Sequence, residues 1–231
     1  MDQVVQRIIN EIKQIGVLSY KGPGLVRLGV GHFSSVYAHP SEQDKVIKIT
    51  INEVANDGFP LFVDYVKNKP GYSIYPVVHY MIETEDRNGH PFNVSVCERL
   101  MAYYDLDIED QEQVKYVYGA LIRLDNEFLI DAAESPELIN KQFERFKASI
   151  PHNWENLSQV QRIELREAHD MLYTLCSEWE PNWGMMPDIG SSNVMVRKTT
   201  EGRYECVIND PIACGDIFHE RDVDYDEFMS Y

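Results

Sequence analysis

The sequence predicts an α+β fold in two lobes, a β-rich first lobe and a mostly helical, shortened second lobe. Short β-branched and aromatic stretches follow one another closely up to about residue 100. Beyond that point apolar residues recur at helical spacing, and turn-forming residues separate the elements. We therefore place the domain boundary near residue 100, with residues 1–100 and 101–231 as the two lobes.

The first lobe is predicted to begin with an amphipathic helix at residues 1–15, where Ile8, Ile12 and Ile15 share one side with other apolar residues. A five-stranded antiparallel sheet follows. Its predicted strands are residues 26–29, 36–38, 45–51, 73–83 and 92–100, with a short helix expected at residues 59–68.

The second lobe shows helix signals of three kinds. Apolar residues recur at helical spacing over residues 114–122. Ser135 followed by Pro136 predicts an N-cap and a first helical position. Ser158 and Gln161 fit a capping box, which predicts the start of the last long helix.

The composition excludes several classes of protein. A net charge of -17 and a pI near 4.7 disfavour direct binding to nucleic acid or to an anionic membrane, and favour a protein partner with a basic surface. The start of the chain does not resemble a signal peptide, and no apolar stretch is long enough for a membrane span. The four cysteines lack the spacing of a metal site, which predicts reduced thiols and a cytoplasmic protein.

A glycine-rich turn stands in the first lobe. Residues 28–37 read Leu-Gly-Val-Gly-His-Phe-Ser-Ser-Val-Tyr, and Lys48 follows on the next strand within Val-Ile-Lys-Ile. Glycines at 29 and 31 let the backbone approach phosphate groups closely. The turn runs into a strand rather than a helix, which disfavours a dinucleotide-binding motif.

Two carboxylates and an amide follow late in the second lobe. Asp188 precedes Asn193 in a loop, and a hairpin of residues 194–197 and 204–208 leads to Asp210. Asp188 would orient an acceptor hydroxyl and take its proton. Asn193 and Asp210 would hold Mg²⁺, which prefers oxygen ligands.

The order of these motifs is that of a protein kinase, so the prediction is a two-lobed protein-kinase-like fold that uses ATP and Mg²⁺. The predicted catalytic residues are Asp188, Lys48, Asn193 and Asp210. The predicted nucleotide-binding residues are Gly29, Val30, Gly31, His32, Phe33, Ser34, Val36, Lys48, Glu98 and Leu100, the last two as parts of a hinge at the adenine edge. The carboxylate partner of Lys48 stays unassigned among Glu53, Asp57 and Asp64.

The same motifs, with Tyr-Ala-His-Pro at residues 37–40 and Asn-Asp-Pro-Ile at residues 209–212, resemble the early serine/threonine protein kinases of short-tailed, autographivirus-type bacteriophages. This resemblance implies a phage early protein in the host bacterial cytoplasm. It would phosphorylate host transcription, translation or RNA-processing factors on Ser or Thr and so redirect host expression. Autophosphorylation belongs to the same expectation.

The sequence departs from cellular protein kinases at several positions. Met-Pro-Asp at residues 186–188 replaces His-Arg-Asp, Ser34 stands at the third glycine, and Pro211-Ile212 follow the metal aspartate in place of Phe-Gly. Few residues follow Asp210, which leaves no room for a long activation segment.

Two alternatives therefore stay open beside the protein kinase. One is a catalytically weak or inactive kinase-like protein that binds and inhibits a basic host protein through its acidic surface. The other is a small-molecule phosphotransferase of the aminoglycoside-kinase type, for which an acidic pocket between Asp105 and Asp125 would be the sign.

Overall fold

The computed structural model describes residues 2–31, 34–51, 58–127, 136–177 and 185–214. The chain forms two compact units. Residues 1–57 and 76–99 make the first unit, and residues 58–75 and 100–231 make the second. The first is mostly sheet and the second mostly helix, which confirms the predicted α+β class. Within these described ranges, no helix has the length and apolar character needed to cross a membrane.

The first unit contains one helix and one antiparallel sheet of five strands, as the sequence predicts. Its elements are helix α1 (Gln3–Ile15) and strands β1 (Arg27–Val30), β2 (Ser34–Ala38), β3 (Lys45–Ile51), β4 (Val78–Glu85) and β5 (Pro91–Glu98). The strands are ordered β1-β2-β3-β5-β4 across the sheet.

Helix α1 is capped by Asp2, whose carboxylate accepts the Val4 N–H at 2.6 Å. Its buried residues follow the i, i+3, i+4, i+7 rule and pack in one cluster with apolar side chains of the sheet. Ile9 belongs to this buried side, whereas Ile15 is 43% exposed because the helix ends there and the chain turns at Gly16.

The second unit contains helices and two small sheets. Its elements are α2 (Phe59–Lys67), β6 (Met101–Ala102), α3 (Ile108–Glu127), α4 (Pro136–Ser149), α5 (Pro151–Glu155), α6 (Gln159–Ser177), β7 (Met185–Pro187), β8 (Val194–Lys198), β9 (Tyr204–Ile208) and β10 (Ile212–Cys214). Strands β6, β8 and β9 form one antiparallel sheet, and β7 pairs with β10 in the other.

The capping box at the start of α6 is confirmed. The Ser158 N–H donates to Gln161 Oε1 at 2.9 Å, and the Gln161 N–H donates to Ser158 Oγ at 3.3 Å. The predicted N-cap Ser135 lies outside the described residues. Helix α6 buries Leu165 and Leu172 completely, which anchors it in the core of the unit.

The strand predicted at residues 73–83 begins only at Val78. Residues 73–75 belong to the second unit, where the Ile74 carbonyl accepts the Ile208 N–H at 2.8 Å. Their backbone groups are thus satisfied by side chains and strands far away in sequence, a condition that β-propensity alone does not reveal.

Candidate active site

Asp188 and Asp210 lie at the same end of the β7–β10 pair. Strand β7 ends at Pro187, which pairs with Ile212 at the start of β10. The Asp188 N–H donates to the Pro211 carbonyl at 2.7 Å, and Asp210 immediately precedes that proline. Antiparallel pairing therefore places the residue after one strand beside the residues before the other.

Asn193 is bound to the same loop. Its side-chain Nδ2 donates to the Asp188 carbonyl at 2.6 Å, and its N–H donates to the Gly190 carbonyl at 2.9 Å. The Asn193 carbonyl in turn accepts the Asn209 N–H at 2.8 Å. These bonds bring Asp188, Asn193 and Asp210 together in the second unit. We call these three residues the loop cluster.

The side-chain oxygens that this cluster offers as metal ligands fit magnesium. Nδ2 of Asn193 is engaged as a donor, so the oxygen Oδ1 is its atom for a cation. The Asp210 carboxylate supplies further oxygens, and both residues are partly exposed. Oxygen-only coordination with open positions for water and phosphate is what Mg²⁺ takes in nucleotide sites.

The glycine-rich turn lies between β1 and β2 in the first unit. Gly29 pairs with Val36 and Val30 with Ser35, and the Gly31 N–H donates to the Ser34 carbonyl at 2.7 Å. A Cβ on Gly31 would lie 3.0 Å from Ser34 Oγ, so this tight turn favours glycine. Residues His32 and Phe33, predicted at the tip, lie outside the described residues.

Lys48 is a buried lysine in the middle of β3, with 5% of its surface exposed. It stands opposite Val36 on β2 and Ser95 on β5. Residues opposite one another in a ladder share a face of the sheet, so Lys48 and Val36 are neighbours on one face. Strand register alone thus brings together two of the predicted nucleotide-binding residues.

The carboxylate partner of Lys48 remains unassigned. Glu53 and Asp57 lie outside the described residues. Asp64 lies on α2 with 70% of its side chain exposed, and its Oδ1 is 3.2 Å from Nζ of Lys67. An exposed aspartate paired within its own helix is a surface ion pair.

The predicted hinge already uses two of its N–H groups within the first unit. Glu98 N–H donates to the Val77 carbonyl at 2.9 Å, and Arg99 N–H donates to the Asp44 carbonyl at 2.7 Å. The Glu98 side chain accepts the Val77 N–H at 2.7 Å. A donor to an adenine edge would therefore come from Leu100, the next residue.

Sequence reasoning did not identify three charged residues that bind a segment next to the loop cluster's strands. Glu164 and Glu167 lie on α6 and Arg197 lies on β8, and all three bind residues 65–75. These partners are far away in sequence, so no local spacing or motif signals them.

A second cluster lies in the first unit, at Asp2, His39 and Glu42, whose potential ligand atoms lie within 4.8 Å of one another. His39 Nε2 is 2.8 Å from Asp2 Oδ2, while its Nδ1 accepts the Glu42 N–H at 3.2 Å. A metal on Nε2 would require Nδ1 to carry the proton, facing another N–H. Lys45 also pairs with Glu42. These contacts indicate that the cluster holds the start of α1 in place, and they disfavour a metal site.

A cavity of about 390 Å³ lies along α6, and none of the loop cluster's residues lines it. Its charged wall is internally bonded. Arg166 Nε lies 2.9 and 3.0 Å from the two oxygens of Asp170, and Arg162 donates to the Trp154 carbonyl. Because these charges already have partners within the protein, we assign the cavity no role.

Comparison with known proteins gives structural likeness only. No protein-family model and no curated protein matches the chain. It is similar to crystal structures of aminoglycoside phosphotransferase APH(4)-Ia. The apo form of a thermostable mutant is 16% identical with a TM-score of 0.36, covering 86% of this chain and 73% of that one. A thermostable mutant in ternary complex with AMP-PNP and hygromycin B is 17% identical with a TM-score of 0.36, covering 92% and 78%.

Proposed function

We propose that the chain is an ATP- and Mg²⁺-dependent serine/threonine protein kinase. The observation that carries this proposal is the bonded cluster of Asp188, Asn193 and Asp210 in the second unit. A carboxylate that can accept a proton stands there beside two residues whose side-chain oxygens suit magnesium. That combination is what phosphoryl transfer requires from a protein.

In this proposal Asp188 orients the acceptor hydroxyl. The bond between the γ-phosphorus and the bridging oxygen of ATP breaks, the hydroxyl oxygen bonds to that phosphorus, and the hydroxyl proton passes to the Asp188 carboxylate. Asn193 and Asp210 would hold Mg²⁺, which when bound offsets the charge of the phosphates. Lys48 would pair with phosphate oxygens, and Gly29 and Gly31, which have no Cβ, would let the phosphates come close to the backbone.

The acceptor in this proposal is a host protein with a basic surface. A chain with a net charge of -17 attracts such proteins at long range and repels nucleic acid and anionic membranes. The sequence resemblance adds a phage early protein that acts in the host bacterial cytoplasm on transcription, translation or RNA-processing factors. The same resemblance implies that the chain also phosphorylates itself.

The test is incubation of the purified chain with Mg²⁺ and γ-labelled ATP, alone and with bacterial lysate. We expect label on Ser or Thr of lysate proteins, absent with Asp188→Ala and with Asp210→Ala. Equal labelling by the wild type and both variants would contradict the proposal. A folded wild type without label and without an ATP-induced rise in Tm would favour the inactive binder instead.

A small cationic acceptor is the second candidate for the same chemistry. Asp105, Asp107, Glu109 and Glu112 are exposed around the start of α3 and give that surface a negative field. The side chain of Asp125 lies outside the described residues, so the predicted pocket between Asp105 and Asp125 stays a prediction. Transfer of label to an aminoglycoside but to no protein would favour this candidate.

A further inference from the structure

We propose that Glu167 and Arg197 are positioning residues for the metal ligands Asn193 and Asp210. They act through residues 73–75, which we call the clamp segment. The clamp segment lies between α6 on one side and the β8–β9 hairpin on the other. The effect on metal binding rests on the proposed function, whereas the effect on backbone order does not.

The hairpin side binds three successive carbonyls of the clamp segment. Arg197 Nη1 donates to the Ser73 carbonyl at 3.0 Å, and its Nη2 donates to the Tyr75 carbonyl at 2.8 Å. Between them the Ile74 carbonyl accepts the Ile208 N–H at 2.8 Å. A planar guanidinium can serve two carbonyls at once, which a lysine cannot do with the same geometry.

The helix side binds the same segment through two carboxylates. Glu164 Oε1 accepts the Ser73 N–H at 3.0 Å and the Ser73 hydroxyl at 2.6 Å. Glu167 Oε1 accepts the Tyr75 hydroxyl at 3.3 Å and the Tyr65 hydroxyl at 2.9 Å.

Two of the three residues of the clamp segment are buried, which makes their bonds costly to lose. Ile74 is 1% exposed and Tyr75 is 3% exposed. Glu167 is 8% exposed, and Nζ of Lys69 lies 3.2 Å from its Oε1. A buried carboxylate or carbonyl that loses its donor incurs the full cost of desolvation.

The metal ligands lie directly beside the bonds of the clamp segment. Ile208 is two residues before Asp210, and Asn209 between them donates its N–H to the Asn193 carbonyl. Asn193 precedes β8, the strand that carries Arg197. Asp188 has its own support, the β7–β10 pairing and the Pro211 carbonyl. Loosening the clamp segment should therefore displace the metal ligands more than Asp188.

The test uses Arg197→Lys, with Arg203→Lys as the matched control. Arg203 lies in the turn of the same hairpin with 75% of its side chain exposed, paired with Glu201. Hydrogen exchange of the free protein is measured first. We expect faster exchange at the Ile208 and Asn209 amides in Arg197→Lys, and wild-type exchange in Arg203→Lys.

The second readout is metal binding. With Mn²⁺ as the probe and ADP present, Arg197→Lys should bind the metal roughly tenfold more weakly, as expected for a residue supporting a ligand. In the transfer assay the Mg²⁺ concentration for half-maximal rate should rise similarly, with kcat recovered at high Mg²⁺. Arg203→Lys should keep the wild-type Mg²⁺ dependence.

Glu167→Gln and Glu167→Ala complete the test. The glutamine side chain would retain an oxygen acceptor, so Glu167→Gln should exchange more slowly at Ile208 and Asn209 than Glu167→Ala. Wild-type exchange at these amides in folded Arg197→Lys and Glu167→Ala would overturn the inference, whether or not the wild type transfers phosphate. Absence of transfer by the wild type, with exchange as expected, would overturn the proposed function alone.

Discussion

The two units hold their candidate site residues by different means. In the first unit Val36 and Lys48 lie on consecutive, paired strands, so the register of one sheet places them side by side. In the second unit Asp188, Asn193 and Asp210 lie in loops at strand ends. Two of the bonds that hold them, Asp188 N–H to the Pro211 carbonyl and Asn209 N–H to the Asn193 carbonyl, join segments that are not neighbours in sequence.

This difference indicates which unit's candidate site residues are more sensitive to substitutions elsewhere in the protein. A strand residue keeps its neighbours as long as the ladder persists, because the pleat fixes which side chains share a face. A loop residue keeps its place only while its partners stay in place. We therefore expect distant substitutions to disturb the second unit's site more readily than the first unit's.

The largest effect expected is that of Asp188→Asn on phosphoryl transfer. The amide cannot take the acceptor proton, so kcat should fall about 10³-fold. Binding of the Mg²⁺–nucleotide complex should stay near wild type, since Asp188 is not among the expected metal ligands. Steady-state kinetics and calorimetric titration check both parts, and weaker nucleotide binding would show that the cluster does not divide its roles in this way.

Lys48→Met tests the role predicted for the buried lysine of the first unit. Methionine keeps most of the buried volume of the side chain but loses the charge that would pair with phosphate oxygens. We expect kcat/KM for ATP to fall about 10²-fold. Wild-type kinetics in a folded variant would show that Lys48 has no part in phosphoryl transfer.

Gly58→Ala tests whether distant packing supports the second unit's site. A Cβ on Gly58 would lie 2.4 Å from Cγ1 and 2.9 Å from the carbonyl oxygen of Ile212, two residues after Asp210. This overlap should reduce the free energy of unfolding by about 1–3 kcal/mol.

Gly29→Ala in the first unit is the matched control for stability. No atom lies within 4 Å of a Cβ built there, so its urea midpoint should stay at the wild-type value. An unchanged urea midpoint in Gly58→Ala as well would show that the residues around Ile212 can shift to accept the added methyl group without loss of stability.

The smallest effect expected is on stability in acid, and it belongs to the first unit. Burial by itself would raise the pKa of Asp86, but N–H groups of Val17, Asn88 and His90 bind the carboxylate and lower its pKa to about 2. A lowered folded-state pKa stabilises the protein above the ordinary value of 3.8. That contribution is lost as the pH falls from about 4 to about 2.

Asp86→Asn should therefore lower Tm by several degrees at pH 7, because the amide nitrogen cannot accept these donors. Thermal melts across the acidic range should show the two proteins converging as the pH falls. A difference in Tm that stays constant over that range would mean that the charge of Asp86 is not what stabilises the turn.

Local patterns predicted much of the fold because they reflect local physics. The hydrogen bonds of the capping box join Ser158 and Gln161 within one turn of helix. Two residue types at the right spacing are therefore enough to predict it. The failure at residues 73–75 has the opposite cause. Their partners Arg197 and Ile208 are more than a hundred residues away, and no local preference reports such bonds.

The sequence by itself determined the α+β class, the five-stranded sheet, the apolar side of α1 and the order of the candidate site residues. Each of these follows from periodicity, turn chemistry or spacing within a short stretch. Only the tertiary structure decided that residues 58–75 belong to the helical unit and that Glu164, Glu167 and Arg197 bind residues 73–75. The physical reason is that buried polar groups must find partners, and the fold rather than the local sequence supplies them.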